Sequence, residues 1–468
     1  MNPVIAMVIG IALLIFLVMR TKIQAFPALI ITAIVIGLLA GLNPRETVSA
    51  ATAGFGSTLS SIGIVIGFGC IMGSFLEHSG AAKRMALSIL KLVGVKRADV
   101  VLGISGFLVS IPVFCDSGFV ILSQLAKELA RLTRKSMVGI GGILAMGLYI
   151  THFLVPPTPG PLAVAGAFNV DLGLFIFWGI LFSIPLFIVS IYLFRYFEKK
   201  HPEYIPSYEI DKSKYTPEQL KVLERIEAKM KRNEEMTSED FEELLSTEKL
   251  PSAALSFAPI VVPLILIFFN TIVTNLLGIQ TGPLAEFAGL IGSPVVALFV
   301  SVLIAVYLLA GSMDRESALK LMESAIGSAG LIVFVTGAGG ALGNVIKVTG
   351  AGNMMAQAIV NSNIPVLFVP LLVGTLLRIP QGSGTTAMIT GSSILAPMLG
   401  TLGLNPILAG MALCLTTMCP SYMNDSYFWV VTRFSGLDVK TSLKTWSLST
   451  IIIPLIGSVL LFIASIFI

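Results

Sequence analysis

Apolar runs of about 20 residues recur along nearly the whole chain, each long enough to cross a hydrocarbon core about 30 Å thick. Composition agrees. Charged residues make up 12% of the 468 and hydrophobic ones 55%, whereas a soluble domain carries about 25% charged residues. An ordinary water-facing surface is therefore excluded, and the chain reads as an all-α polytopic membrane protein. The first run, residues 3–19, has no small-residue cleavage site after it and is followed by another span, so it reads as a membrane helix rather than a signal peptide.

Cys70, Cys115, Cys414 and Cys419 lie in apolar stretches without metal-ligand spacing and read as buried small side chains. The glycine clusters GFGC and GAGG lack a preceding strand and a following lysine, so they suit close helix packing rather than phosphate binding. No metal, cofactor or nucleic acid is expected.

Fourteen of the 26 acids and eleven of the 30 bases fall in residues 195–250. Residues 216–233 there have helical periodicity, with Leu220, Leu223 and Ile226 on one side. The chain thus divides into a first membrane half (1–195), a charged linker (196–252) and a second membrane half (253–468).

The halves repeat one another. GFGCIMGSFLEHSGA begins at Gly67 and GAGGALGNVIKVTGA at Gly337, so that Gly67, Gly69, Gly73 and Gly80 match Gly337, Gly339, Gly343 and Gly350 at an offset of 270. GFLVSIP at Gly106 likewise aligns with GTLLRIP at Gly374, each followed by small polar residues.

Lysine and arginine positions set the orientation, because they favour the cytoplasmic side. Each half contains a pair of short apolar pieces, residues 99–135 and 364–402, that begin and end on one side and fit a re-entrant hairpin. Each also contains a crossing interrupted by proline or polar residues, at 155–161 and 419–429. The two halves then run in opposite directions, as inverted-topology repeats with a hairpin and a broken helix in each. Of nineteen bases outside 195–250, this places sixteen in the cytoplasm, Arg45 and Lys347 outside, and Arg378 within the membrane. The linker is expected in the cytoplasm and both termini outside. Cysteines introduced singly at Ser207 and Ser246 should therefore resist an impermeant thiol reagent on intact cells; labelling of both would overturn the topology.

Of the twelve acids outside the linker, only Asp116, at the first hairpin tip, and Asp425, in the second broken crossing, fall at depth. Intramembrane charges cost at least about 2.5 kcal/mol each and tend to mark transport routes or proton relays. Mutual pairing that merely holds helices together is the competing explanation. Arg378 precedes the second tip, where a guanidinium can grip a carboxylate through two hydrogen bonds. Ser117, Ser383, Thr385, Thr386, Asn424 and Ser426 cluster at the same depth and suit a polyhydroxylated ligand, although each could instead cap a helix. His152, beside the proline break, is a candidate proton relay or substrate donor. This is the discontinuous-helix arrangement that transporters use to hold substrate between repeats.

Residues 111–130 (IPVFCDSGFVILSQLAKELA) and 151–173 (THFLVPPTPGPLAVAGAFNVDLG) closely resemble the gluconate permease family of proton symporters, as do 378–388 (RIPQGSGTTAM) and 419–429 (CPSYMNDSYFW). The resemblance runs from the first span to the last, except for the linker, which looks long. It implies membership of a wider ion-transporter superfamily whose members are typically homodimers working by an elevator motion. It further implies uptake of gluconate or a related sugar acid with protons across the inner membrane. Sodium-driven superfamily relatives carry Ser-Asn-Thr at their tips. Here Cys115-Asp116-Ser117 and Ser383-Gly384-Thr385 stand instead, and an ionisable group in place of the amide fits proton coupling, with Asp116 first and Asp425 second. Three alternatives stay open: a sodium-coupled carboxylate carrier, a D-serine or glycerate carrier, and an intramembrane hydrolase, since Ser, His and Asp occur together at depth.

Overall fold

The computed structural model describes residues 1–206, 220–222, 224–225, 228–229, 250–311, 313–362 and 364–466. The helix expected at 216–233 lies largely outside these residues, as do Ser207 and Ser246. Among the described residues the regular structure is helical, with no strand. Six helices are long and apolar enough to cross a membrane, or seven if one bent pair counts as a single span.

The first half comprises α1 (Pro3–Arg20), α2 (Ala25–Leu39), α3 (Pro44–His78), α4 (Ala81–Val93), α5 (Ala98–Val109), α6 (Cys115–Thr133), α7 (Met137–Leu154), α8 (Pro159–Ala167) and α9 (Leu172–Lys200). The second comprises α10 (Ala253–Thr271), α11 (Pro283–Ile291), α12 (Pro294–Leu303), α13 (Arg315–Val348), α14 (Ala351–Asn361), α15 (Phe368–Gln381), α16 (Gly384–Leu395), α17 (Pro406–Thr416), α18 (Ser426–Phe434) and α19 (Leu448–Ala464). At 15 residues α2 rises only about 22 Å. That is less than the hydrocarbon core of about 30 Å.

The same series of elements occurs twice. A long helix, a glycine, a short helix, a hairpin, a broken helix and a last helix make up α3–α9 and again α13–α19. Gly80 and Gly350 occupy the corner after the long helix, with φ of 75° and 72°. That left-handed backbone is one that a side chain disfavours, so the aligned glycines do the same local job.

The first break has a sequence cause. Helix α7 stops at Leu154 because Pro156 and Pro157 cannot donate the next helical hydrogen bonds. Thr158 and Pro159 then start α8, proline being favoured at a first helical position. The hairpin arms α5 and α15 have 12 and 14 residues. They rise about 18 and 21 Å, too little to cross the hydrocarbon core.

The long helices α3 and α13 pack side by side, one from each half. A Cβ on Gly54 would lie 2.3 Å from the carbonyl oxygen of Gly340, so the backbones meet directly, and Asn344 Nδ2 donates to Ala50 O at 2.8 Å. Helix α7 is buried along its whole length. Its small residues admit neighbours closely: a Cβ on Gly142 would strike the Phe194 ring, and one on Gly147 would lie 2.3 Å from Gly103 O. At the foot of the first hairpin, fully buried Asp99 accepts from Lys135 at 2.6 Å and Arg195 at 2.7 Å, which ties α5 to the start of α7 and to α9.

Candidate substrate cavity

Both hairpin tips and both helix breaks meet around one cavity of about 240 Å³. The first tip supplies Cys115 and Asp116 from the opening turn of α6. The second supplies residues 381–385. Tyr149, His152 and Phe153 come from the end of α7, and residues 424–427 from the start of α18. Helices α6, α16 and α18 therefore turn their N-termini, with first-turn N–H groups and positive dipole ends, toward one space.

The second tip turns in two residues. Gly382 has φ +69°, and a Cβ there would lie 2.3 Å from Asn424 O, so both conformation and space demand glycine. Ser383 then caps α16: its Oγ accepts from Thr386 N at 3.3 Å and from the Thr386 hydroxyl at 3.1 Å. The tip is bound to the opposite break as well, because Asn424 Nδ2 and the Tyr422 hydroxyl both donate to Ile379 O at 2.9 Å.

Arg378 is 1% exposed and does not line the cavity. One terminal nitrogen donates to Asp425 Oδ2 at 2.6 Å and to the Tyr149 hydroxyl at 3.2 Å, and the other to Gly382 O. Its Nε has no partner among the described residues. Asp425 also accepts from the Ser421 hydroxyl at 2.5 Å and from Tyr427 N at 3.1 Å, capping α18. An aromatic wall backs the pair: Tyr149 stacks on Tyr427 with centroids 5.5 Å apart, and Trp446 meets both edge-on while its indole N–H donates to Ser421.

Asp116 has a different setting. Its Oδ1 accepts from the Ser426 hydroxyl at 3.1 Å, and the Cys115 thiol lies 3.7 Å from Oδ2. No described base pairs with it. His152 is buried against Phe114 and Phe153, and its Nδ1 finds no partner among the described residues.

Seven of the ten residues singled out in the sequence thus line one cavity: Asp116, His152, Ser383, Thr385, Asn424, Asp425 and Ser426. Arg378 sits behind it, Thr386 serves the α16 cap, and Ser117 lies outside the lining. Tyr149, Phe153 and Gln381 were not anticipated. Tyr149 and Phe153 were within reach of sequence reasoning, because with His152 they follow the i, i+3, i+4 spacing of one helix face.

The fold and the gathered tips define a polytopic membrane transporter. They match the solved structure of MtrF from Neisseria gonorrhoeae with a TM-score of 0.65 at 14% identity, over 96% of each chain. More narrowly, the chain belongs to the GntP family permeases, whose pattern matches residues 2–467. It is 41% identical to a permease of Haemophilus influenzae over 99% of this chain and 92% of that one. It is 33% identical to the inner membrane permease YgbN of Escherichia coli over 96% and 95%, and 28% identical to the gluconate permease of Pseudomonas aeruginosa over 97% and 95%. The protein is therefore a multi-pass membrane permease, and the hydrolase alternative falls away.

Proposed function

We propose that this permease is a secondary active carrier that takes up gluconate, or a related small hydroxylated carboxylate, together with protons across the inner membrane. The observation that carries the reading is the division of charge around the cavity. Arg378 and Asp425 neutralise each other, and Asp116 is left as a carboxylate without a partnering base among the described residues. An anion approaching ionised Asp116 is repelled. Once Asp116 takes a proton, the same anion meets the three helix N-termini and the hydroxyls of Ser383, Thr385 and Ser426. One proton and one monoanion together add no net charge, which lowers the cost of carrying the loaded site through the membrane.

The substrate class is supported by the gluconate permease among the relatives and by the density of hydroxyl and amide groups around the cavity. Arg378 acts on the substrate through the tip it holds, and His152 faces the same space as a second proton or substrate contact. The repeated series of elements supports an inverted pair of halves, with the linker cytoplasmic and both termini outside. The homodimer and the elevator motion are extensions of the superfamily resemblance.

Purified carrier in proteoliposomes should concentrate labelled gluconate when the outside is made acid, with sodium absent. Accumulation that requires sodium at constant pH would replace protons by sodium. Uptake of D-serine or glycerate in preference to every sugar acid would keep the carrier and change its substrate.

A further inference from the structure

A second and larger cavity, about 380 Å³, lies between the long helices α3 and α13 on one side and α8 and α16 on the other. Its lining contains one formal charge, Lys347, which is exposed and forms no ion pair with a described residue. Thr336 lines the same space. It is 2% exposed, and its hydroxyl has no hydrogen-bond partner among the described residues. A hydroxyl on a helical threonine readily bonds back to a carbonyl one turn earlier. Thr47, Thr375, Thr416 and Thr432 of this chain all do so, yet Thr336, like Thr32 and Thr390, does not.

The other polar groups leave complementary capacity. Asn344 uses its Nδ2 on Ala50 O, which leaves Oδ1 to accept, whereas Asn353 uses Oδ1 on the Thr401 hydroxyl, which leaves Nδ2 to donate. Ser392 and Ser393 donate to Ile389 O and keep their acceptor lone pairs. One cation, spare donors and several spare acceptors match a ligand with one carboxylate and several hydroxyls.

Helix α16 connects this space to the first cavity. Thr385 at its start lines the first, and Ile389, Ser392 and Ser393 line the second. From Thr385 to Ser393 the helix rises about 12 Å. Between them the Met388 side chain fills the place where a Cβ of Gly160 would stand, with its Cε 2.2 Å from that position. The charge pattern of the chain places Lys347 on the outer side.

We propose that this cavity is an outer subsite for a small hydroxylated carboxylate, which is held by Lys347 before it passes the contact of Met388 with Gly160 into the site between the tips. The inference rests on the substrate class proposed above.

The test uses Ser57→Cys, a conservative change at an exposed position of the lining. An impermeant thiol reagent applied from outside should label it above the wild-type background, and gluconate should slow that labelling. Adding Lys347→Gln should abolish the protection, whereas Lys347→Arg should keep it. In uptake assays Lys347→Gln should raise the half-saturating gluconate concentration roughly three- to tenfold, in the range of a partly solvated charge-assisted bond. The maximal rate should hold, and rising ionic strength should affect the variant less than the wild type. A cysteine unreactive from outside would overturn the subsite. So would absent protection in a protein that accumulates gluconate, and that result would leave the transport reading intact. Protection by gluconate without any gluconate uptake would do the opposite, keeping the subsite and removing the transport reading.

Discussion

Asp116→Asn will leave a folded carrier that exchanges labelled for unlabelled substrate but no longer accumulates it. The amide keeps an oxygen to accept from Ser426, which bonds to Asp116 at 3.1 Å, so the tip contact survives. What disappears is the group proposed to load a proton before an anion is tolerated. With one proton per monoanion, each pH unit of gradient supports about tenfold accumulation, because a factor of ten is 1.4 kcal/mol. The Asn variant should stay near equal concentrations inside and outside at every gradient. Exchange needs no net proton movement and should continue. On the proposed coupling of one proton to one monoanion the transport cycle is electroneutral, so clamping the membrane potential to zero should leave wild-type accumulation unchanged. If the Asn variant still concentrates substrate in response to external acid, the coupling group lies elsewhere, and Asp425 and His152 become the candidates.

Arg378→Ala will abolish uptake and weaken the fold, and Arg378→Lys will recover little of either. Both partners of the Arg378–Asp425 pair are almost fully buried, at 0% and 8% side-chain exposure. Removing one partner of such a pair typically costs about 3–5 kcal/mol, since the remaining charge loses its compensation. Lysine restores a charge but not the planar fork that serves Asp425, Gly382 and Tyr149 together. The neutral double variant Arg378→Met with Asp425→Asn should regain much of the lost thermal stability in detergent, because neither charge is then left alone. Its transport should stay impaired, since the second tip keeps its Asn424 and Tyr422 bonds but has lost the charged link to the start of α18. A single Ala variant with wild-type stability and uptake would show that the pair contributes to neither.

Much of the architecture can be read from local properties of the chain. The length of each apolar run, the prolines at 155–161 and the glycines repeated at an offset of 270 are visible without coordinates. Helix α7 ends at Leu154 ahead of a proline pair and the corners fall at Gly80 and Gly350, whereas Pro185, Pro259, Pro263 and Pro454 lie inside unbroken helices. Residues 99–112 were recognisable as too short to span for the same reason, because rise per residue is a property of the backbone alone.

Partner choice among buried groups is not local. Arg378 and Asp425 are 47 residues apart, and Asp116 stands 310 residues from the serine that bonds to it. Nothing in spacing or hydropathy says which carboxylate the guanidinium will meet. Sequence reasoning preferred the substrate to an aspartate as the partner of Arg378, yet in the folded chain it faces Asp425, with Tyr149 and Gly382 O taking its remaining bonds. The apolar lengths and breaks of the chain therefore decide that it crosses the membrane and brings polar tips to depth, since each helix must satisfy its own backbone there. Which charge is neutralised and which is left free was decided only when the tips and breaks closed on one another, because a buried charge is stabilised by whatever group packing places within a few ångströms of it.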